Sequence, residues 1–121
     1  MNIYEVQPIF SHPTHPFELT IDAPGSKSIT NRALMLAALA NGETLLKGAL
    51  FSDDSRHFLQ CLKDLGFDVV VDEPAHTVRV TGLGGRIPKE TAAINVGSAG
   101  TAARFLTAML GCAKGVWHLD A

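Results

Sequence analysis

Pro24-Gly25-Ser26-Lys27-Ser28-Ile29-Thr30-Asn31-Arg32-Ala33-Leu34 is the stretch on which the fold turns. Before it, Phe17, Leu19 and Ile21 alternate with polar residues, the period of a half-buried strand ending at Asp22. Pro24 and Gly25 break that strand. After it, Ile29, Ala33, Leu36, Ala37 and Ala40 recur at helical spacing and predict a helix over about Ser28–Ala40 with those residues on its buried face. Asn41-Gly42 stops the helix, because glycine enters the left-handed region without a side-chain clash. The quoted stretch is thus a strand-to-helix junction. Unpaired N–H groups and the positive end of a helix dipole meet at such a point, and both favour an anion.

Working outward, Thr44–Leu50 reads as a strand. Ser52 caps a second helix, whose first turn holds Asp53 and Asp54 in favourable contact with the dipole. Phe58, Cys61, Leu62 and Leu65 form its buried face, and Gly66 ends it. Phe67–Val71 and Thr77–Thr81 are predicted strands joined by a hairpin over 72–76. Gly82, Gly84 and Gly85 mark a loop. A short strand (Ile94–Val96), a glycine turn, a helix over about Thr101–Cys112 and a strand from Val116 follow. The expected class is α/β (α+β), in the order β-α-β-α-β-β and then the start of another such unit. A repeat supports that division. Gly25-Ser26 returns as Gly97-Ser98, Arg32 as Arg104 and Leu34 as Leu106, a constant offset of 72 residues.

The chemistry expected of the first junction follows from its side chains. Lys27 adds a mobile point charge, Ser28 a hydroxyl donor, and Arg32, one turn on, a rigid fork on the same face. The same residues admit a plainer reading, in which Ser26 or Ser28 caps the helix and the two cations are solvated. Gly97-Ser98-Ala99-Gly100-Thr101 is the second candidate cradle, with Arg104 beyond it; a tight turn into a buried helix is its plainer reading. A P-loop is excluded, since glycine would be needed at positions 21 and 26, where Ile21 and Ser26 stand. Asp53 and Asp54 read as helix stabilisers, Arg56 and His57 as solvated or loosely paired, and Trp117 as core. His12 and His15 lie among prolines, so no metal site is expected.

Bulk numbers set the limits. A chain of 121 residues with 46% apolar content can build one domain with a real core. Net charge of −2 and ten dispersed basic residues argue against nucleic acid or an anionic membrane as partner. Any bound anion must be held by a few placed groups. No apolar run approaches the roughly 18 residues of a spanning helix. Neither is there the pattern of a secretory signal. Cys61 and Cys112 are read as two buried thiols in a reducing, cytoplasmic setting.

Three blocks carry a family resemblance: residues 24–34 as quoted, Ala40-Asn41-Gly42-Glu43-Thr44 with Leu50-Phe51-Ser52-Asp53-Asp54-Ser55-Arg56, and Asn95-Val96-Gly97-Ser98-Ala99-Gly100-Thr101-Ala102-Ala103-Arg104. In order and spacing they resemble the enolpyruvylshikimate-phosphate synthase family, from about Phe17 to the end. The resemblance implies two similar domains of repeated βαβαββ units, an inside-out α/β barrel, with the site in the cleft between them. This chain would hold one unit and part of a second. It implies transfer of the enolpyruvyl group of phosphoenolpyruvate to the 5-hydroxyl of shikimate 3-phosphate, with release of phosphate and no cofactor. Lys27 would contact both substrates, Ser28 and Arg32 the shikimate phosphate ligand, and Ser98, Gly100, Thr101 and Arg104 phosphoenolpyruvate. Residues 1–16 would be a lead-in strand of the other domain, and 17–121 a partial first domain.

Several corollaries belong to the resemblance. Many members carry asparagine at Ser98 and proline at Phe105, so Phe105 bears on the phosphoenolpyruvate pocket and on glyphosate as inhibitor. Family members are several times longer, and their proton-handling carboxylates lie outside the residues present here. The 121-residue chain is therefore expected to be inactive alone. The full enzyme is expected to be a monomer. One alternative is UDP-N-acetylglucosamine enolpyruvyl transferase, whose first turn reads Gly-Ala-Lys-Asn rather than Gly25-Ser26-Lys27-Ser28. Another is a non-catalytic module that only holds a phosphorylated ligand.

Overall fold

The computed structural model describes residues 2–5 and 20–121. Its elements are α1 (Lys27–Leu39), β1 (Asn41–Lys47), α2 (Asp53–Asp64), β2 (Asp68–Asp72), β3 (Thr77–Leu83), β4 (Thr91–Asn95), α3 (Gly100–Gly111) and β5 (Val116–Asp120). β3 lies between β1 and β2 in an antiparallel sheet, with Asn41 facing Leu83, Lys47 facing Thr77 and Asp72 also facing Thr77. Val78 and Val80 point from β3 into the core, while Arg79 points out to Glu43 at 3.0 Å. The helices α1 and α2 cover the inner face. β4 and β5 pair in parallel, connected through α3, which packs on α2 and α1. Of the expected β-α-β-α-β-β order, the α-β-α-β-β part is present and no strand precedes α1 among the described residues; the opening β-α-β of a second unit is also present.

Local chemistry explains the boundaries. Ser52 and Ser55 form a reciprocal capping box at α2, and the Ser55 hydroxyl donates to the Leu50 carbonyl at 2.7 Å. Phe58, Cys61, Leu62 and Leu65 are buried as expected. Arg56 is better placed than the loose pairing foreseen, since it grips Glu73 of the β2–β3 turn at 2.8 and 3.0 Å.

Four expectations are corrected. The expected strand ending at Asp22 is irregular over the residues described, Thr20–Asp22, with Ile21 75% exposed; residues 17–19 lie outside the described residues. The inner face of α1 is rotated: Thr30, Asn31, Leu34, Ala37 and Ala38 are buried, whereas Ile29 and Leu36 are 66% and 68% exposed. Small Ala37 and Ala38 let α1 approach β3 closely, and Thr30 becomes useful inside by accepting from Leu50 N–H at 3.1 Å. Gly82 belongs to β3 and not to a loop; only Gly84 and Gly85, with φ of 67° and 95°, carry the turn. Cys112 is exposed, because it follows the last turn of α3, and only Cys61 is a buried thiol. Trp117 is half-buried against the core, with its ring N–H donating to the Lys89 carbonyl at 2.9 Å. The lead-in expected over residues 1–16 falls largely outside the described residues.

Gly82 marks the tightest joint between helix and sheet. A Cβ there would collide with the carbonyls of Ala37, Ala38 and Ala40 at the end of α1. Gly82→Ala is expected to lower unfolding free energy in urea by about 1–3 kcal/mol, the range for overpacking. Gly111→Ala, where a Cβ meets nothing within 4 Å, is the control and should cost no stability. Equal midpoints for the two variants would contradict this picture of the joint.

Candidate functional site

Gly25 leads into α1 pressed against the chain that leaves β1, where a Cβ would overlap the Gly48 carbonyl. Ser26 then takes the cap position, its hydroxyl accepting from Ile29 N–H at 3.2 Å. Capping is thus done by Ser26 and leaves Ser28 available. Ser28 and Arg32 are exposed, and neither makes a side-chain hydrogen bond among the described residues. The first turn of α1 contains no acid. Lys27 pairs with Asp54 of α2 at 3.1 Å, with the lysine side chain 53% exposed. Such a pair is worth about 1 kcal/mol at most, so an arriving phosphate can compete for the ammonium.

The second cradle is built differently. Gly97 holds a left-handed φ of 55°, and its N–H donates to the Asn95 side-chain oxygen at 2.8 Å. Ala99 N–H closes the turn on the Val96 carbonyl at 2.9 Å. Ala99 is the N-cap of α3 and offers no side-chain acceptor, in contrast to Ser26 and Ser52. The first N–H groups of α3, at Gly100, Thr101 and Ala102, therefore lack a side-chain cap. Gly100 is exposed, and a Cβ there would meet nothing within 4 Å, so packing does not require glycine at this position. The missing side chain leaves the backbone open to close approach there. Ser98 and Arg104 are exposed, and Thr101 is half-buried. The repeat is inexact: Ser26 caps its helix, whereas Ser98 stands one residue before the cap.

One face of α2 joins the two cradles. Asp54, His57 and Cys61 follow the helical spacing i, i+3, i+7. Asp54 meets Lys27, and the His57 ring covers Gly97, where a Cβ would lie 2.5 Å from Cε1 and Nε2. Cys61 donates through Sγ to the Asn95 carbonyl at 3.2 Å. The starts of α1 and α2 thus meet through Lys27 and Asp54, and the turn that leads into α3 lies against the second turn of α2. Sequence reasoning placed Asp54 correctly as a first-turn acid but missed its pairing with Lys27. It treated His57 as solvated or loosely paired, whereas the ring is half-buried against Gly97. The i, i+3, i+7 spacing was the available signal. A concavity of about 440 Å³ at the other end of α3, lined by Thr107, Leu110, Gly111, Trp117 and neighbours, carries no charged side chain. A polyanion would find no counter-charge there. Among the described residues no three His, Cys, Asp or Glu side chains are grouped to hold a metal, and His12 and His15 lie outside them.

The profile of EPSP synthase (3-phosphoshikimate 1-carboxyvinyltransferase) matches residues 12–120, which include both cradles and the α2 face between them. The chain belongs to this family. It is 48% identical over 105 residues to the 3-phosphoshikimate 1-carboxyvinyltransferase of Trichormus variabilis, covering 87% of this chain and 25% of that protein. Against the enzyme of the same name from Cupriavidus taiwanensis it is 50% identical over 101 residues, covering 84% of this chain and 23% of the relative. The structure of EPSP synthase from Acinetobacter baumannii superposes with a TM-score of 0.73 at 31% identity, over 84% of this chain and 23% of that one. The fold is accordingly a portion of the enolpyruvyl transferase fold. The chain spans about a quarter of the length of the curated relatives it matches.

Burial, reinforced by the Asp64 carboxylate, raises the Cys61 thiol from 9.0 to about 11, against the lowering effect of its bond to Asn95. At pH 8 iodoacetamide should label Cys112 alone, and both cysteines in denaturant. A group with its folded pKa raised contributes stability below its unfolded value and loses it as pH climbs toward the folded one. The chain should therefore lose stability between about pH 9 and 11, and Cys61→Ala should remove part of that slope. Rapid native labelling of Cys61, or an identical slope in the variant, would contradict this assignment.

Proposed function

We propose that these residues form one wall of the substrate cleft of a 3-phosphoshikimate 1-carboxyvinyltransferase. The observation that carries the proposal is the pair of helix N-termini, on α1 and α3, held at one end of α2 with an arginine about one turn into each. Both substrates of the reaction are polyanions that repel one another. Fixed cations and N–H donors offset that repulsion and hold the shikimate 5-hydroxyl against the enolpyruvyl carbon, which supplies proximity and electrostatic stabilisation. The addition intermediate keeps both phosphates until one leaves, so the seats stay occupied along the path.

In this reading Ser28 and Arg32 hold the phosphate of shikimate 3-phosphate. Ser98, Gly100, Thr101 and Arg104 receive phosphoenolpyruvate at the open end of α3. Lys27 lies between the two and exchanges Asp54 for a substrate oxygen. Phe105, half-buried in α3 directly after Arg104, shapes the phosphoenolpyruvate seat, where glyphosate would compete. Residues 17–121 belong to the first domain and 1–16 to a strand of the second. The groups that move protons lie in the part of the family enzymes outside the matched quarter, so these residues alone bind without turning over. The setting is cytoplasmic and the complete enzyme a monomer; no helix among the described residues is long and apolar enough to cross a membrane.

The test is to splice residues 1–121 in place of the matching quarter of the Trichormus relative and follow phosphate release from both substrates. The spliced enzyme should turn over, and Lys27→Met should lower kcat/KM by about 10²-fold or more, the scale for losing one preorganised charge stabiliser. An inactive splice, or a Lys27→Met variant with wild-type kcat/KM, would refute the proposal.

A further inference from the structure

We propose that His57 is a positioning residue of the second anion seat: its ring, braced on the Cα of Gly97, fixes the 97–99 turn and so aims the uncapped N–H groups of α3. Nothing in the reaction itself calls for this histidine, and no hydrogen bond of its ring is present among the described residues. Its place is set by shape. The ring is half-buried on α2, and the gap between it and the Gly97 backbone is too small for a methyl group. A Cβ at Gly97 would fall 2.5 Å from both Cε1 and Nε2 and 3.1 Å from Cδ2.

The turn under that ring is otherwise held at its edges. Gly97 N–H is tied to the Asn95 side chain and Ala99 N–H to the Val96 carbonyl. Asn95 is tied in turn to Cys61, one helical turn beyond His57. Gly97 itself has a left-handed φ of 55° and no side chain, so it is the pivot about which the turn could swing. A flat ring pressed on the pivot blocks that swing. The consequence falls on Gly100, Thr101 and Ala102, whose N–H directions follow from the turn. Preorganised donors act only if they point at the anion before it arrives, so loosening the pivot weakens the α3 seat and leaves the α1 seat untouched.

This inference rests on the functional reading for its kinetic arm but not for its structural one. In this chain, His57→Ala should speed amide hydrogen exchange of Ser98, Gly100 and Thr101 by about 10-fold or more, with β3 amides unchanged. His57→Phe, which restores a flat ring, should return exchange toward wild type. Gly97→Ala should lower Tm, and the loss should be smaller in the His57→Ala background, because the ring no longer opposes the added methyl. In the spliced enzyme, His57→Ala should raise KM for phosphoenolpyruvate about 5-fold or more, leaving KM for shikimate 3-phosphate and kcat within about 2-fold. Unchanged exchange at Gly100 and Thr101, or equal Tm losses from Gly97→Ala in both backgrounds, would overturn the proposal whether or not the spliced enzyme is active. A KM rise shared equally by both substrates would also overturn it. An inactive wild-type splice counts against the functional reading, and the exchange and Tm results then decide the inference.

Discussion

The contact of one α2 face with both neighbouring helix starts is the constraint on which the site depends. Asp54 reaches Lys27 on α1, His57 covers Gly97 before α3, and Cys61 holds the Asn95 carbonyl that precedes the same turn. Without that face, α1 and α3 would be joined by their own limited packing, and nothing would set the separation of their N-terminal ends. The face is rigid for local reasons. A complete capping box starts the helix, and Phe58, Leu62 and Leu65, which share its buried face with Cys61, anchor it in the core. The second turn of α2 therefore sits as a spacer between the two proposed anion seats.

On the proposed reading, this arrangement is how a chain with net charge of −2 would hold polyanions. Long-range attraction is not available, so binding must come from short-range donors whose desolvation and orientation are settled during folding. The two seats solve that differently. At α1 a serine satisfies the first turn, and the ligand would meet side chains, Ser28 and Arg32. At α3 the cap is Ala99, and the ligand would meet backbone N–H groups with Arg104 behind them. The Lys27–Asp54 salt bridge, exposed at its lysine end and mostly covered at Asp54, leaves the intervening cation accessible. Buried Cys61 contributes no charge, because its thiol stays protonated well above neutral pH.

Much of this was legible from residue patterns, and the failures have definite causes. The α2 helix, its cap and its buried face were readable because Ser52, the paired acids and Phe58/Cys61/Leu62/Leu65 all agree on one register. The hairpin over 72–76 was readable from its breaker residues. α1 was placed within one residue at each end, yet its inner face was assigned wrongly. Alanine and leucine occupy nearly every position from 33 to 40, so the stripe is ambiguous; Thr30 goes inside with its hydroxyl accepting from Leu50 N–H, and Asn31 is buried beside it with no partner for its side-chain amide among the described residues. Gly82 looked like a loop residue because glycine usually breaks strands; here it is the only residue that fits beneath the end of α1. The proposed anion-seat residues were read from side-chain chemistry, the repeat and the family resemblance, whereas their connection through Asp54 and His57 needed the tertiary contacts.

On the proposed reading, the starts of α1 and α3 are two seats of one anion-binding wall. Its most direct test is a titration of the ¹⁵N-labelled chain with shikimate 3-phosphate, and then with phosphoenolpyruvate in its presence, followed by amide NMR. Shifts are predicted at residues 27–32 with the first ligand and at 98–104 with the second, with β2 and β3 unmoved. Shifts confined to the apolar concavity around Trp117, or both ligands moving one seat only, would contradict the claim.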